Sequence, residues 1–162
     1  MSRFFKTVLL TGLFVGTTDL ISAYITQWVK TGQFADKMLN YMAGAAIGLD
    51  SSMQGGNAAA FLGLCFHYFI AFAYTLFFFW IFPKIRILSF NKYLVGMLYA
   101  VFVNLTMNQG ILRLTRLPRW TFSLPHAYID WVILGAVFGI PIAWNAYKFY
   151  GVDQPRQPKG VF

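Results

Sequence analysis

The chain has 162 residues, of which 58% are hydrophobic, 20% aromatic and only 11% charged, with a formal net charge of +8. A soluble domain averages about 25% charged residues, so this composition leaves almost nothing to build a soluble shell and reads as one membrane domain. The thirteen Lys and Arg residues are spread over connections and ends, not gathered on one face, which argues against nucleic-acid binding, and the single cysteine, Cys65, excludes an internal disulfide.

Taken in chain order, Arg3 and Lys6 precede an apolar run from Thr7 to Val29 whose one formal charge is Asp19. The run is too long for a signal-peptide core and lacks a small-x-small cleavage site, so it reads as a retained first span. Phe34, Met38, Tyr41, Met42 and Ala45 then recur at helical spacing and predict a short interfacial helix over 34–48. Leu49 to Gly56 reads as a loop, with Asn57 as N-cap of a second span over 57–82 that Pro83 closes. Within that span Cys65 is expected to be a buried small hydrophobe. A third span is predicted over 93–112 and a fourth over 127–147, where Pro141 should kink the helix or free a carbonyl. Each run suffices to cross ~30 Å of hydrocarbon at ~1.5 Å per residue. The tail, 151–162, carries Pro155 and Pro158 and reads as flexible. Glycine pairs at i, i+4, namely Gly12/Gly16, Gly44/Gly48 and Gly135/Gly139, predict close helix contacts, with those in spans one and four seating neighbouring helices. The expected fold is therefore an all-α, integral membrane four-helix bundle over 1–150 with a short interfacial helix between spans one and two.

Topology follows from charge. Eight basic residues (Arg3, Lys6, Lys84, Arg86, Lys92, Lys148, Arg156, Lys159) fall on the side of the termini and five (Lys30, Lys37, Arg113, Arg116, Arg119) on the other, which places both termini in the cytoplasm. Counted from the outer ends, Asp19 and His67 both lie ~15 Å deep and Asn104 ~12 Å deep, at ~1.5 Å per residue. With Asn108, these residues form the candidate proton or ligand site. An ionised aspartate at such depth faces the bundle interior and takes a partner. In one reading that partner is His67 and the two exchange protons; in the other, Asp19 is protonated or hydrogen-bonded to Thr18 and Asn104 and only holds helices together.

Arg113, Arg116 and Arg119 recur every three residues and offer an anion or lipid head-group clamp, though Pro118 interrupts any helix there. Asp130 reads as a carboxylate in the first turn of a helix begun by Pro125. Asp19, His67, His126 and Asp130 lack metal-ligand spacing, and the unequal depths of His67 and His126 oppose haem ligation, so no metal or cofactor is expected. No catalytic serine or cysteine motif and no phosphate-binding glycine loop occurs, and a non-enzymatic role is expected.

Gly16-Thr17-Thr18-Asp19, Thr31-Gly32, Gly55-Gly56-Asn57, His67 and Gly139-Ile140-Pro141-Ile142-Ala143 together resemble a family of small four-span bacterial inner-membrane proteins, a domain of unknown function. The likeness runs over most of the chain to Tyr150, while the three arginines between Ile111 and Trp120 depart from it. It implies a bacterial inner-membrane address and a four-helix architecture, and no substrate. Two functions are expected on this footing. One is a structural or accessory subunit packed against other membrane-protein subunits or copies of itself among membrane lipids. The other is a small proton-linked transporter or channel with a polar cavity around Asp19 and His67.

Overall fold

The computed structural model describes residues 2–115, 117 and 124–152, and these are all-helical, with no strand among them. Helix α1 spans Arg3–Thr31, α2 Met38–Ile47, α3 Leu49–Gln54, α4 Gly56–Ile81, α5 Lys92–Leu105, α6 Leu124–Leu134 and α7 Ile140–Tyr150. Three helical rods, Arg3–Thr31, Gly56–Lys84 and Tyr128–Tyr150, are long and apolar enough to cross a membrane.

The third expected span differs from these. Its α-helix has 14 residues and continues as a π-helical turn, Thr106–Ile111, and a short 3-10 turn, Leu112–Leu114. Asn104, Asn108 and Gln109 crowd its last turns, and its α-helical part is shorter than the three rods long enough to cross a membrane. The last rod is also interrupted, because Gly135–Gly139 between α6 and α7 is π-helical.

Both ends of the described chain meet at one end of the molecule, where Phe4 packs edge-on against Phe149 and Phe79. The rods therefore run alternately up and down, and each of α1 and α5 packs against both α4 and the α6–α7 rod. An aromatic core fills this end, with Phe78 5.7 Å from Phe82 and 4.6 Å from Tyr99, and Phe82 stacked on Tyr150 at 5.3 Å between ring centroids. The tyrosine hydroxyls in that core are satisfied by backbone: Tyr99 donates to Tyr74 O, Tyr147 to Leu88 O and Tyr150 to Phe79 O.

Small residues set the helix spacing. A Cβ added to Gly96 would lie 2.7 Å from Ile140 Cα, and one added to Gly139 would overlap the Gly96 carbonyl, so α5 meets the last rod backbone to backbone. Gly12 and Gly16 likewise seat α1 on Phe72 and Tyr68 of α4. The Gly44/Gly48 pair does not act this way. Gly48, at φ +87°, ends α2 in a conformation that a Cβ disfavours, whereas Gly44 is packed against Leu117 and Ser52.

The 34–56 region departs from expectation in three ways. The expected interfacial helix starts only at Met38, and it packs tightly on α4, where a Cβ at Gly63 would overlap the Leu39 carbonyl. The expected loop after it is instead helix α3, and α4 begins at Gly56, capped by Gly55 with no side-chain bond, so Asn57 is not the N-cap. The reason lies in Asn40, a buried amide on α2 that donates to Ser52 O at 3.0 Å and Gly56 O at 2.9 Å and so ties α2, α3 and the start of α4 together.

Outward faces are apolar. Val29 is 73% exposed, Phe69 69% and Phe61 68%, with Leu10, Phe14, Ile21, Ile25 and Trp80 also projecting from the rods. Cys65, expected to be buried, is exposed on the same face of α4, one turn from Phe61 and one from Phe69. Of the expected tail, only Gly151 and Val152 are described; residues 153–162 lie outside the described set.

Candidate functional site

Two adjoining cavities open the half of the molecule away from the aromatic core. The larger, about 610 Å³, is a vestibule at the Lys30 end, bounded by α1, α2, Asp130 and Ile133. The smaller, about 340 Å³, is a deeper chamber whose wall includes Phe66, His67, Ile70, Tyr74, Asn108 and Phe138. Asp19, Tyr41, Met42, Asn104 and Leu134 line both, and so form the neck between them. All four residues of the sequence-derived site, Asp19, His67, Asn104 and Asn108, line the inner chamber.

Each is placed by a local device. Asp19 lies on α1 one turn beyond Gly16, and the Gly16 carbonyl accepts a hydrogen bond from His67 Nε2 at 2.7 Å. A carbonyl can only accept, so Nε2 carries a proton in either charge state of the ring. Asp19 and His67 thus share a chamber without forming an ion pair within 4.0 Å, and His67 is anchored to the backbone one turn away instead. Nor is Asp19 held by Thr18. That hydroxyl turns to backbone carbonyls, those of Phe14 and Val15 on its own helix at 3.1 Å and that of Val137 across the bundle at 2.8 Å. Among the described residues no hydrogen bond or ion pair reaches the Asp19 carboxylate, and no buried side-chain oxygen or nitrogen lacks a partner; the carboxylate faces the cavities.

Asn104 is fixed by Trp131, whose indole N–H donates to Asn104 Oδ1 at 3.0 Å, so its amide NH2 remains available to the neck. Asn108 is fixed the opposite way. Its Nδ2 donates to Asn104 O at 3.0 Å, and its Oδ1 stays available as an acceptor. Both π-helical turns border this neck: Asn104 lies two residues before Thr106–Ile111, and Leu134 directly precedes Gly135–Gly139. Such turns swing side chains out of α-helical register and recur at functional sites. Pro141 contributes to the second. The α-helical partner of the Val137 carbonyl would be the N–H of residue 141, which proline lacks, and the Thr18 hydroxyl meets that carbonyl instead.

Asp130 lies well inside α6 and not in its first turn, so the helix dipole is not its partner. It pairs with Lys30 at 3.2 Å across the vestibule, from the end of α1 to α6. Lys37, also on the vestibule, donates to Met53 O at 3.4 Å. Arg113 donates to Gln109 Oε1, while Arg116 and Arg119 lie outside the described residues, as does the side chain of His126. Among the described residues, no three of His, Cys, Asp and Glu gather as a metal site.

Tyr74, Met107 and Phe138 also line the chamber and did not stand out in the sequence. The stripe Met38, Tyr41, Met42 and Ala45 carried a signal, but one that reads equally as a lipid-facing or a cavity-facing surface. In the fold it lines the cavities, and α2 buries Asn40, Ala43 and Gly44 against its neighbours. No family model, curated protein or solved structure matches this chain.

Proposed function

We propose that the chain is a four-span protein of the bacterial inner membrane that admits a small solute into its bundle and moves it in a proton-linked cycle centred on Asp19. The observation that carries this reading is the position of Asp19 at the neck common to both cavities, where any solute passing from vestibule to chamber meets the carboxylate. Membrane embedding is supported by the inversion of polarity: large apolar side chains cover the outside of the rods while Asp19, His67 and Asn104 face inward. The shorter α5 rod is the fourth span in this reading, its amides turned to the chamber.

Charge supports the orientation. Arg3, Lys84 and Lys92 lie over the rings of Phe149, Trp80 and Trp144 at the end where the first and last described helices meet, as expected of a cytoplasmic head-group boundary. The vestibule then opens to the outside. A bundle this narrow has no continuous pore among its described cavities, so passage requires a helix to move, and the interruptions in α5 and the last rod supply sites for bending.

The test is reconstitution into sealed vesicles carrying an internal pH dye, with a panel of small solutes added outside. Solute-dependent proton flux that Asp19→Asn abolishes at unchanged melting temperature supports the reading. Native mass spectrometry of gently extracted protein supplies the opposing arm: a stable mass containing other subunits, with no flux, makes the chain an accessory subunit and the polar neck a packing feature.

A further inference from the structure

The inner chamber has one acidic side chain, Asp19, and no Lys or Arg among its described lining residues. Most of the remaining wall is apolar or aromatic, and its two methionines, Met42 and Met107, add polarizable sulfur. Its volume, about 340 Å³, falls within the ~300–1,000 Å³ of ordinary small-molecule pockets. Around the carboxylate, Asn108 Oδ1 is left as an acceptor and the Asn104 amide NH2 as a donor, while His67 Nε2 is committed to the Gly16 carbonyl. We infer that this chamber binds a monovalent organic cation, an ammonium group on an apolar body, with the cationic head at Asp19 and the body against the aromatic wall.

An ionised carboxylate enclosed by apolar groups needs either a proton or a counter-cation. A proton and an organic cation therefore compete for Asp19, so loading one releases the other, and charge is balanced in both states. Phe66, Phe138, Tyr41 and Tyr74 line the chamber and supply the aromatic rings that attract a positive head that has shed its water. The vestibule lysines do not bar entry by a cation: Lys30 is neutralised by Asp130 at 3.2 Å, and Lys37 is held at the Met53 carbonyl. A metal ion is a poorer fit, because the acceptors are few and the wall offers no oxygen cage.

This inference rests on the reading of the cavity as a solute site, and the experiment separates the two. Full-length protein in lipid nanodiscs is titrated with labelled benzyltrimethylammonium, and competition is measured with neopentylbenzene, its uncharged carbon isostere, and with benzenesulfonate. Saturable binding of the cation is expected, with the isostere failing to compete. Asp19→Asn should weaken it at least tenfold, Asp19→Glu should retain binding within tenfold, and Asp130→Asn should change it less than twofold. Equal competition by the isostere, or unchanged binding by Asp19→Asn, overturns the cation assignment. Preference for benzenesulfonate overturns it while keeping the solute-site reading, and absence of binding by all three probes to folded protein overturns both.

Discussion

Replacing Thr18 with valine tests whether the α1 hydroxyl satisfies the carbonyl that Pro141 leaves without its helical partner. Valine nearly reproduces the shape of threonine and removes only the donor. The Thr18 hydroxyl has one proton and three carbonyls in reach; those of Phe14 and Val15, at 3.1 Å, lie within its own helix, whereas Val137 O, at 2.8 Å, is closest and lies opposite a residue with no N–H. Leaving a buried carbonyl unmet costs ~1–3 kcal/mol in general. Interhelical hydrogen bonds inside membrane proteins average ~0.6 kcal/mol and reach ~1.7 kcal/mol, so Thr18→Val should cost about 1 kcal/mol. For a chain of this size that is roughly 2–4 °C in melting temperature, on the scale of soluble proteins. Pro141→Ala restores an N–H to the Val137 carbonyl, and in that background the Thr18→Val cost should fall to within about 0.3 kcal/mol of zero. The assay is a double-mutant cycle on purified protein in one detergent, read by thermal unfolding and by reversible denaturation. An equal loss in both backgrounds refutes the assignment of Thr18 to Val137, and so does a stabilising effect of Thr18→Val alone.

Further outcomes follow from the packing. Gly96→Val drives a side chain into the backbone of Ile140, 2.7 Å from its Cα, and should destabilise by ~1–3 kcal/mol, whereas Gly110→Ala, with nothing within 4 Å, should be neutral or better in the same melt. Asn40→Ala leaves the Ser52 and Gly56 carbonyls without their donor and should cost ~1–3 kcal/mol, with proteolytic cutting appearing between 48 and 56 as the readout that separates local from global loss. Lys30→Met, at an exposed pair, should change stability by less than about 1 kcal/mol, measured by the same melt. Cys65, on the outward apolar face of α4, should resist a water-soluble maleimide in intact membranes and react after denaturation, as followed by mass shift; rapid labelling in membranes would contradict lipid contact at that face.

The sequence by itself determined the helical class, because long apolar runs with few charges and no alternating pattern allow little else, and three of its four predicted spans coincide with rods long and apolar enough to cross a membrane. It also singled out Asp19, His67, Asn104 and Asn108, since ionisable groups and amides stand out against so apolar a background. The freed carbonyl near Pro141 was legible too, as the lack of an N–H is a property of the residue. Tertiary structure decided the rest. Equal depth did not bring Asp19 and His67 into contact within 4.0 Å, because depth fixes only one coordinate, and the Gly16 carbonyl lies within reach of the ring. Helix α3 and the inward course of α2 depend on Asn40 finding the carbonyls of Ser52 and Gly56, 12 and 16 residues ahead, contacts that no local pattern encodes. The stripe Met38, Tyr41, Met42 and Ala45 is the clearest case. Apolar periodicity reports that a face avoids water, and both lipid and a largely apolar chamber satisfy it, so only the packing of α2 on α4 decides which one it meets.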